Sequence, residues 1–125
     1  MAGLDGTGLL ALVTAGATAE GIHLATLGYE VFVLHASQGD ADIAEAAMHV
    51  HHVAAEATAL PAAWEGRFAL VVALDGAVPE HVVAPQGLVM ALADGPLDQT
   101  GLTRVVAEEV QEGASVRVRT VLARL

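Results

Sequence analysis

Leu9-Leu10-Ala11-Leu12-Val13-Thr14-Ala15-Gly16-Ala17-Thr18 runs from five apolar residues into a turn that contains glycine, and Gly28-Tyr29-Glu30-Val31-Phe32-Val33-Leu34-His35 follows one helix length later. Residues 9–13 are continuously apolar, which is typical of a strand buried on both faces of a sheet. Thr18 is a suitable N-cap for a helix between the two segments, with Ile22, Ala25 and Leu24 facing inward, and Gly28 is suited to ending it. The two segments therefore predict a β-α-β unit with strands at 9–13 and 30–34.

Short apolar runs and helical patterns alternate through the rest of the chain. This alternation is typical of a parallel sheet that carries helices on both faces. Further strands are predicted at 50–54, 68–74 and 87–93, with room for about one helical turn between the last two. A helix is predicted from 42, where Asp42 and Glu45 have capping-box spacing and Ile43, Ala46 and Ala47 form the apolar positions.

The C-terminal part of the chain contains two further predicted elements. Residues 101–112 place Leu102, Val105, Val106 and Val110 at helical spacing, which predicts a helix. Residues 115–125 alternate valine with arginine, as an antiparallel edge strand does. The predicted fold class is α/β: a three-layer, doubly wound, mostly parallel sheet of about six strands with an antiparallel C-terminal edge strand. We expect a single domain over residues 8–125 and a short N-terminal tail over 1–7.

Composition excludes several classes of function. The chain has 125 residues, no cysteine and a formal net charge of −10, from 5 basic and 15 acidic residues. This charge argues against binding the phosphate backbone of a nucleic acid, which requires clustered basic side chains. No apolar run reaches the ~18 residues that span a bilayer, and the first residues do not resemble a secretory signal. We therefore expect a cytoplasmic protein that does not insert into membranes.

Three segments give the chain a resemblance to a known family. Leu27-Gly28-Tyr29-Glu30-Val31, Glu56-Ala57-Thr58-Ala59-Leu60-Pro61 and Arg67-Phe68-Ala69-Leu70-Val71-Val72, placed after the glycine turn, resemble the core of a class I S-adenosylmethionine-dependent methyltransferase. The resemblance covers residues 9–94. It implies a Rossmann-like methyltransferase domain whose cofactor, if the site is functional, is S-adenosylmethionine.

The same resemblance implies the cofactor-binding positions, and this chain departs from the family at most of them. Leu12 stands where the first strand carries an acid, and Thr14, Gly16 and Thr18 stand where three glycines let the backbone approach the methionine moiety. His35 replaces the acid that binds the ribose hydroxyls, and Ala69 replaces the acid of the Phe-Asp pair that opens the fourth strand. Glu56 matches the acid that contacts the adenine amine.

Gly16 and Glu56 are therefore the candidate cofactor-binding residues, within a motif that is otherwise degenerate. Each has a simpler interpretation: Gly16 as the residue that permits a tight turn, and Glu56 as a solvated loop carboxylate. Asp75 follows a predicted strand at the end where open α/β sheets bind ligands, but it also suits an acidic turn. No catalytic residue is predicted.

The histidines raise the question of a metal site. His49 and His51 are two residues apart and would share one face of a strand, with His35 alongside if the second and third strands pair, whereas His52 would point to the other face. The spacing matches no established metal motif, so we expect polar histidines of an edge strand rather than metal ligands.

These observations lead to two hypotheses of function. The first is a methyltransferase-like domain that is degenerate and non-catalytic and acts as a binding or assembly module, as a homodimer or as the partner of an active relative. The alternative is a small active S-adenosylmethionine-dependent methyltransferase, or another cofactor binder, whose atypical site uses backbone amides with Thr14, Thr18 and His35. Another doubly wound fold, such as a flavodoxin-like response module, is the remaining interpretation.

Overall fold

The computed structural model describes residues 9–74 and 78–124. Asp75 and the predicted tail over 1–7 lie outside the described residues. In this part of the chain, two α-helices and seven strands follow one another, joined at two places by 3-10 turns at Ala62–Trp64 and Glu80–Val82. The elements are β1 (Leu10–Val13), α1 (Thr18–Thr26), β2 (Glu30–His35), α2 (Gln38–Ile43), β3 (Val50–Ala54), β4 (Phe68–Ala73), β5 (Val83–Ala93), β6 (Thr103–Glu112) and β7 (Ser115–Ala123).

The strands form one sheet in the order β3-β2-β1-β4-β5-β7-β6. The first five strands in this order pair in parallel, and β7 pairs antiparallel with β5 on one side and β6 on the other. The predicted α/β class and mostly parallel sheet are confirmed. β7 is antiparallel as predicted, but it lies one strand inside the edge because β6 is the outermost strand.

The helix predicted over 101–112 is wrong, because Thr103–Glu112 is strand β6. A helix with this spacing would turn its valines toward a core, but Val105 and Val106 do not pack on one, since they are 62% and 46% exposed. β-Branched residues favour a strand when packing does not require a helix, and β6 pairs along its length with β7. Gly113, at a φ of 58°, turns the chain between the two strands.

Helix α1 covers one face of the parallel strands. Ile22, Leu24 and Ala25 pack against the core on that face, as predicted, and Gly28 follows the helix at a φ of 103°. Thr18 is not the N-cap: it is the first residue of the helix, and its hydroxyl donates instead to the carbonyl of Gly16 at 3.4 Å.

Helix α2 begins earlier than predicted. Ser37 is its N-cap and accepts a hydrogen bond from the amide of Asp40 at 3.1 Å, so Asp42 lies in the last turn of the helix and is not its N-cap. Ile43 is the last helical residue and is 84% exposed rather than part of an apolar face. The Ser37 cap thus fixes where α2 begins, and it places Ala41, four residues later, as the buried residue of the helix.

The opposite face of the sheet contains the larger core. Phe32, Trp64 and Phe68 pack ring against ring there, with centroids 5.5–5.9 Å apart. Leu12 is completely buried in the same core. Within the described residues, 3-10 turns and loops rather than α-helices cover this face, and none of the described helices is long and apolar enough to cross a membrane.

Candidate functional site

Two adjoining cavities lie where the carboxyl ends of β1, β2 and β3 meet. The first has a volume of about 300 Å³ and is lined by Thr14, Ala15, Leu34, His35, Ala36, Ala55, Glu56, Ala57 and Thr58. The second has a volume of about 420 Å³ and is lined by Ala15, Gly16, Thr18, His35, Ala36, Asp40 and Ala44. His35 lines both cavities. This edge of a parallel sheet is where open α/β folds bind ligands.

Gly16 brings the backbone close to His35. Its φ is +64°, its amide donates to the carbonyl of Leu34 at 2.7 Å, and a Cβ atom at this position would lie 3.3 Å from Nδ1 of His35. The preceding residue, Ala15, is also left-handed, with a φ of 59°. The turn therefore needs glycine both for its conformation and for this close approach. A role of Gly16 in binding a ligand stays a prediction.

Glu56 lies two residues beyond the end of β3. Its side chain is exposed and lines the first cavity, and its carbonyl accepts a hydrogen bond from Ala59 in the following turn. The structure thus brings the two predicted site residues to the same edge of the sheet, but Gly16 lines the second cavity and Glu56 the first. His35 lies on the wall that the cavities share.

His35 is a buried polar residue of the site, at 6% exposure. Its Nε2 atom lies 2.8 Å from Nδ1 of His52, and Nε2 of His52 lies 2.9 Å from the carbonyl oxygen of Glu45. Burial lowers the pKa of His35 and the neighbouring His52 lowers it further, whereas Asp40 acts in the opposite direction. Burial and His52 thus favour the neutral form of His35.

The prediction that His35 lies alongside His49 and His51 is wrong, and His52 is the residue that was missed. Val33 pairs in register with His52, so His35, two residues after Val33, shares a face of the sheet with His52. The strand register contains this information: alignment of Val31 with Val50 fixes which histidines of β3 face His35.

His49 and His51 form a separate cluster around Glu30. The two carboxylate oxygens of Glu30 lie 3.0 Å from Nδ1 of His49 and 2.6 Å from Nε2 of His51. Burial alone would raise the pKa of Glu30, but the hydrogen bonds and charges of His51 and His49 outweigh it and lower the pKa. No group of three or more metal-ligating side chains in the described residues is arranged to hold an ion.

Thr14 connects the ends of β1 and β4. It is 1% exposed; its hydroxyl accepts a hydrogen bond from the amide of Leu74 at 2.9 Å, and its own amide donates to Val72 at 3.0 Å. A side chain therefore stands between these strand ends, where the family resemblance implies a glycine. Leu12, at the position of the implied acid, belongs to the core and does not reach either cavity.

No family model and no curated protein sequence matches the chain. Solved structures do match it. The antibiotic-resistance methyltransferase Kmr aligns with 98% of this chain and 90% of its own, at 16% identity and a TM-score of 0.71. The N-methyltransferase NodS from Bradyrhizobium japonicum WM9 aligns with 96% of this chain and 88% of its own, at 15% identity and a TM-score of 0.70.

A third similar structure was solved with a cofactor. Magnesium protoporphyrin IX methyltransferase from Synechocystis PCC 6803 with bound S-adenosylmethionine aligns with 94% of this chain and 70% of its own, at 12% identity and a TM-score of 0.68. The chain therefore has the Rossmann-like fold of class I S-adenosylmethionine-dependent methyltransferases, as the sequence resemblance implies. Identities this low define the fold and leave the function to be argued from the site.

Proposed function

We propose that this protein is a methyltransferase-like binding module that takes a nucleoside-containing ligand, S-adenosylmethionine or its demethylated product S-adenosylhomocysteine, without transferring a methyl group. The observation that carries the proposal is the contrast between the two ends of the site. At the β2–β3 end, His35 and Glu56 line a cavity, whereas at the β1–β4 end Leu12 is in the core and Thr14 bonds to Leu74.

The β2–β3 end suits a nucleoside. Its volume of about 300 Å³ is at the lower limit for a small-molecule site. The exposed carboxylate of Glu56 accepts hydrogen bonds, as required to bind an exocyclic amine, and a neutral imidazole accepts one from a hydroxyl. The net charge of −10 and the carboxylates of Glu56 and Asp40 disfavour a phosphorylated ligand.

The β1–β4 end suits methyl transfer poorly. Methyl transfer depends on holding the activated methyl group in line with its acceptor, and that requires a well-held methionine moiety. In this chain Leu12 stands at the position of the implied acid. Thr14 stands at the position of the first implied glycine, and it is buried and hydrogen-bonded to Leu74 at the end of β4. A ligand anchored by its nucleoside alone would leave the methyl group without a fixed position.

Calorimetric titration tests the binding proposal. We expect S-adenosylhomocysteine to bind the protein, and Glu56→Gln to weaken binding about tenfold because the amide can place a donor against the adenine amine. Glu65→Gln is the matched control, since Glu65 is exposed and lines neither cavity. No heat at millimolar ligand, or equal affinities for the two variants, would contradict the proposal.

The proposed absence of methyl transfer is tested separately. Incubation of the protein with S-adenosylmethionine and an extract of small molecules and macromolecules should release no S-adenosylhomocysteine above a heat-inactivated control. Release that depends on the folded protein would instead support the active-enzyme alternative.

We also propose that the module assembles as a homodimer through β6. This ten-residue strand is the outer edge of the sheet, so one row of its backbone groups has no strand partner in the described chain. Val105 and Val106 on β6 and Val116 on the neighbouring β7 are 46–62% exposed. Light scattering after size exclusion should give twice the chain mass for the wild type. Val106→Arg should give a monomer, whereas Leu27→Arg, at the end of α1, should leave the dimer intact. A wild-type monomer at all concentrations would contradict this part.

A further inference from the structure

We infer that the His35–His52 pair selects the ligand group that the site accepts: Nδ1 of His35 is a hydrogen-bond acceptor only, so its ligand must supply a donor, as an unphosphorylated ribose hydroxyl does. His52 is the positioning residue that fixes this state. The inference deepens the proposed nucleoside-binding function and rests on it for the identity of the ligand. The state of the two rings rests on geometry alone.

The hydrogen atoms of the pair can be assigned in order from Glu45. A carbonyl oxygen only accepts, so Nε2 of His52 carries a hydrogen. In a neutral ring the other nitrogen, Nδ1, then accepts, and the 2.8 Å contact requires Nε2 of His35 to donate to it. With Nε2 protonated, Nδ1 of a neutral His35 has only its lone pair.

Nδ1 of His35 is available to a ligand. Within the described residues no hydrogen-bond donor contacts it. Among these residues, Trp64 Nε1 is the one side-chain nitrogen or oxygen that is both sealed from solvent and without a hydrogen-bond partner, so Nδ1 of His35 is not sealed. Nδ1 is therefore accessible from the cavities that His35 lines. Gly16 keeps this atom open, because a Cβ there would lie 3.3 Å from it.

An added proton also goes to this atom. The hydrogen bond to Glu45 and the hydrogen bond between the rings occupy three of the four ring nitrogens. If both bonds are kept, the next proton enters at the fourth nitrogen, Nδ1 of His35, whichever ring carries the charge. Protonation therefore converts the acceptor into a donor. The charged and titratable groups around it are His52 on β3, Asp40 on α2 and Glu56 beyond β3. Burial and His52, which lower the pKa of His35, extend the acceptor state to lower pH.

The consequence for specificity is a preference for a free hydroxyl. A hydroxyl donates to the bare nitrogen, whereas a fully ionised phosphate has only acceptor oxygens and would face a lone pair. At pH 8, adenosine should bind, and the adenosine monophosphate, 2′ or 3′, whose phosphate replaces the contacting hydroxyl should bind at least tenfold more weakly.

The first experiment needs no ligand. Long-range 1H–15N spectra of the histidine rings at pH 8 should show His35 with a protonated Nε2 and an unprotonated Nδ1, and His52 likewise. In His52→Leu the acceptor for Nε2 of His35 is lost, so the 15N resonances of His35 should move toward a mixture of tautomers. His51→Leu is the control, because His51 contacts Glu30 on the other face of β3. A protonated Nδ1 on His35 at pH 8 in the wild type would overturn the inference.

The second experiment measures adenosine affinity against pH. The wild type should bind more weakly as pH falls below the usual histidine range, because the acceptor becomes a donor. His52→Leu should reduce affinity roughly fivefold at pH 8, and His52→Asn should restore it, since an asparagine oxygen can replace Nδ1 as the acceptor. Affinity that does not depend on pH, or tight binding of the monophosphates, would overturn the specificity. If adenosine does not bind at all, the proposed function fails, whereas the tautomer spectra still decide the state of the pair.

Discussion

The parallel strands β1 to β4 and the β6–β7 hairpin belong to one sheet but are stabilised in different ways. Every residue of β1 is buried, as are five of the six residues of β2, whereas nine of the ten residues of β6 are exposed. Burial on both faces stabilises the parallel strands, and strand pairing with local ion pairs such as Arg119–Glu108 stabilises the hairpin. The cavities lie at the end of the parallel half, where a rigid scaffold positions His35.

Val33→Ala should show the largest loss of unfolding free energy among the variants that compare the two regions. Val33 is completely buried in β2, so removing two methyl groups should lower the free energy of unfolding by about 2 kcal/mol through lost transfer energy and a residual cavity. Val116→Ala makes the same chemical change in the hairpin, where the side chain is 51% exposed, and should cost less than about 0.5 kcal/mol. Urea denaturation of both variants measures the two values. Equal losses would show that the hairpin is as well packed as the parallel half.

Gly21→Ala should show that packing outweighs helix propensity in the parallel half. Alanine in place of glycine within a helix gains up to about 1 kcal/mol. However, a Cβ at position 21 would lie 2.7 Å from Cγ2 of Val33, and overpacking of this kind costs about 1–3 kcal/mol. We expect a net loss of about 1 kcal/mol by thermal denaturation.

Gly39→Ala is the matched control for this prediction. Gly39 is exposed in α2, and the nearest atom to a Cβ at this position would be Ser37 Oγ at 3.8 Å. This variant should be unchanged or more stable by about 0.5 kcal/mol. A stabilised Gly21→Ala variant would mean that α1 can move away from the sheet.

Glu30→Gln should have the smallest effect, and one that depends on pH. The folded pKa of Glu30 lies below its ordinary value of 4.5, so its ionised form stabilises the protein above that pH, and this stability is lost as pH falls through the folded pKa. The variant should be about 0.5 kcal/mol less stable than the wild type at pH 6, and the difference should disappear once the pH falls below the folded pKa of Glu30.

Glu108→Gln provides the corresponding change in the hairpin. Glu108 pairs with Arg119, and both side chains are nearly half exposed, so the change in unfolding free energy should be close to zero. A Glu30→Gln effect that stays constant with pH would show that the carboxylate contributes by packing rather than by its charge.

The candidate site was predictable from sequence only in part. Gly16 and Glu56 were identified by resemblance, and both reach the correct edge of the sheet because the carboxyl ends of parallel strands meet there. The pairing of His35 with His52 was missed, since it depends on a register between strands fifteen residues apart in the chain. The strand β6 was missed because its apolar spacing fits a helix, although β7 follows it directly after the turn at Gly113 and pairs with it.

The sequence by itself determined the α/β class, the buried parallel strands and the glycine turn, because continuous apolar runs and turn residues act locally and leave few alternative structures. Only the tertiary structure decided that β6 is a strand, that Thr14 bonds to Leu74 and that His35 faces His52. The Thr14 and His35 contacts depend on partners distant in the chain, and β6 depends on pairing with β7 across the turn at Gly113. The chemistry of the site is therefore set by contacts that the fold brings together.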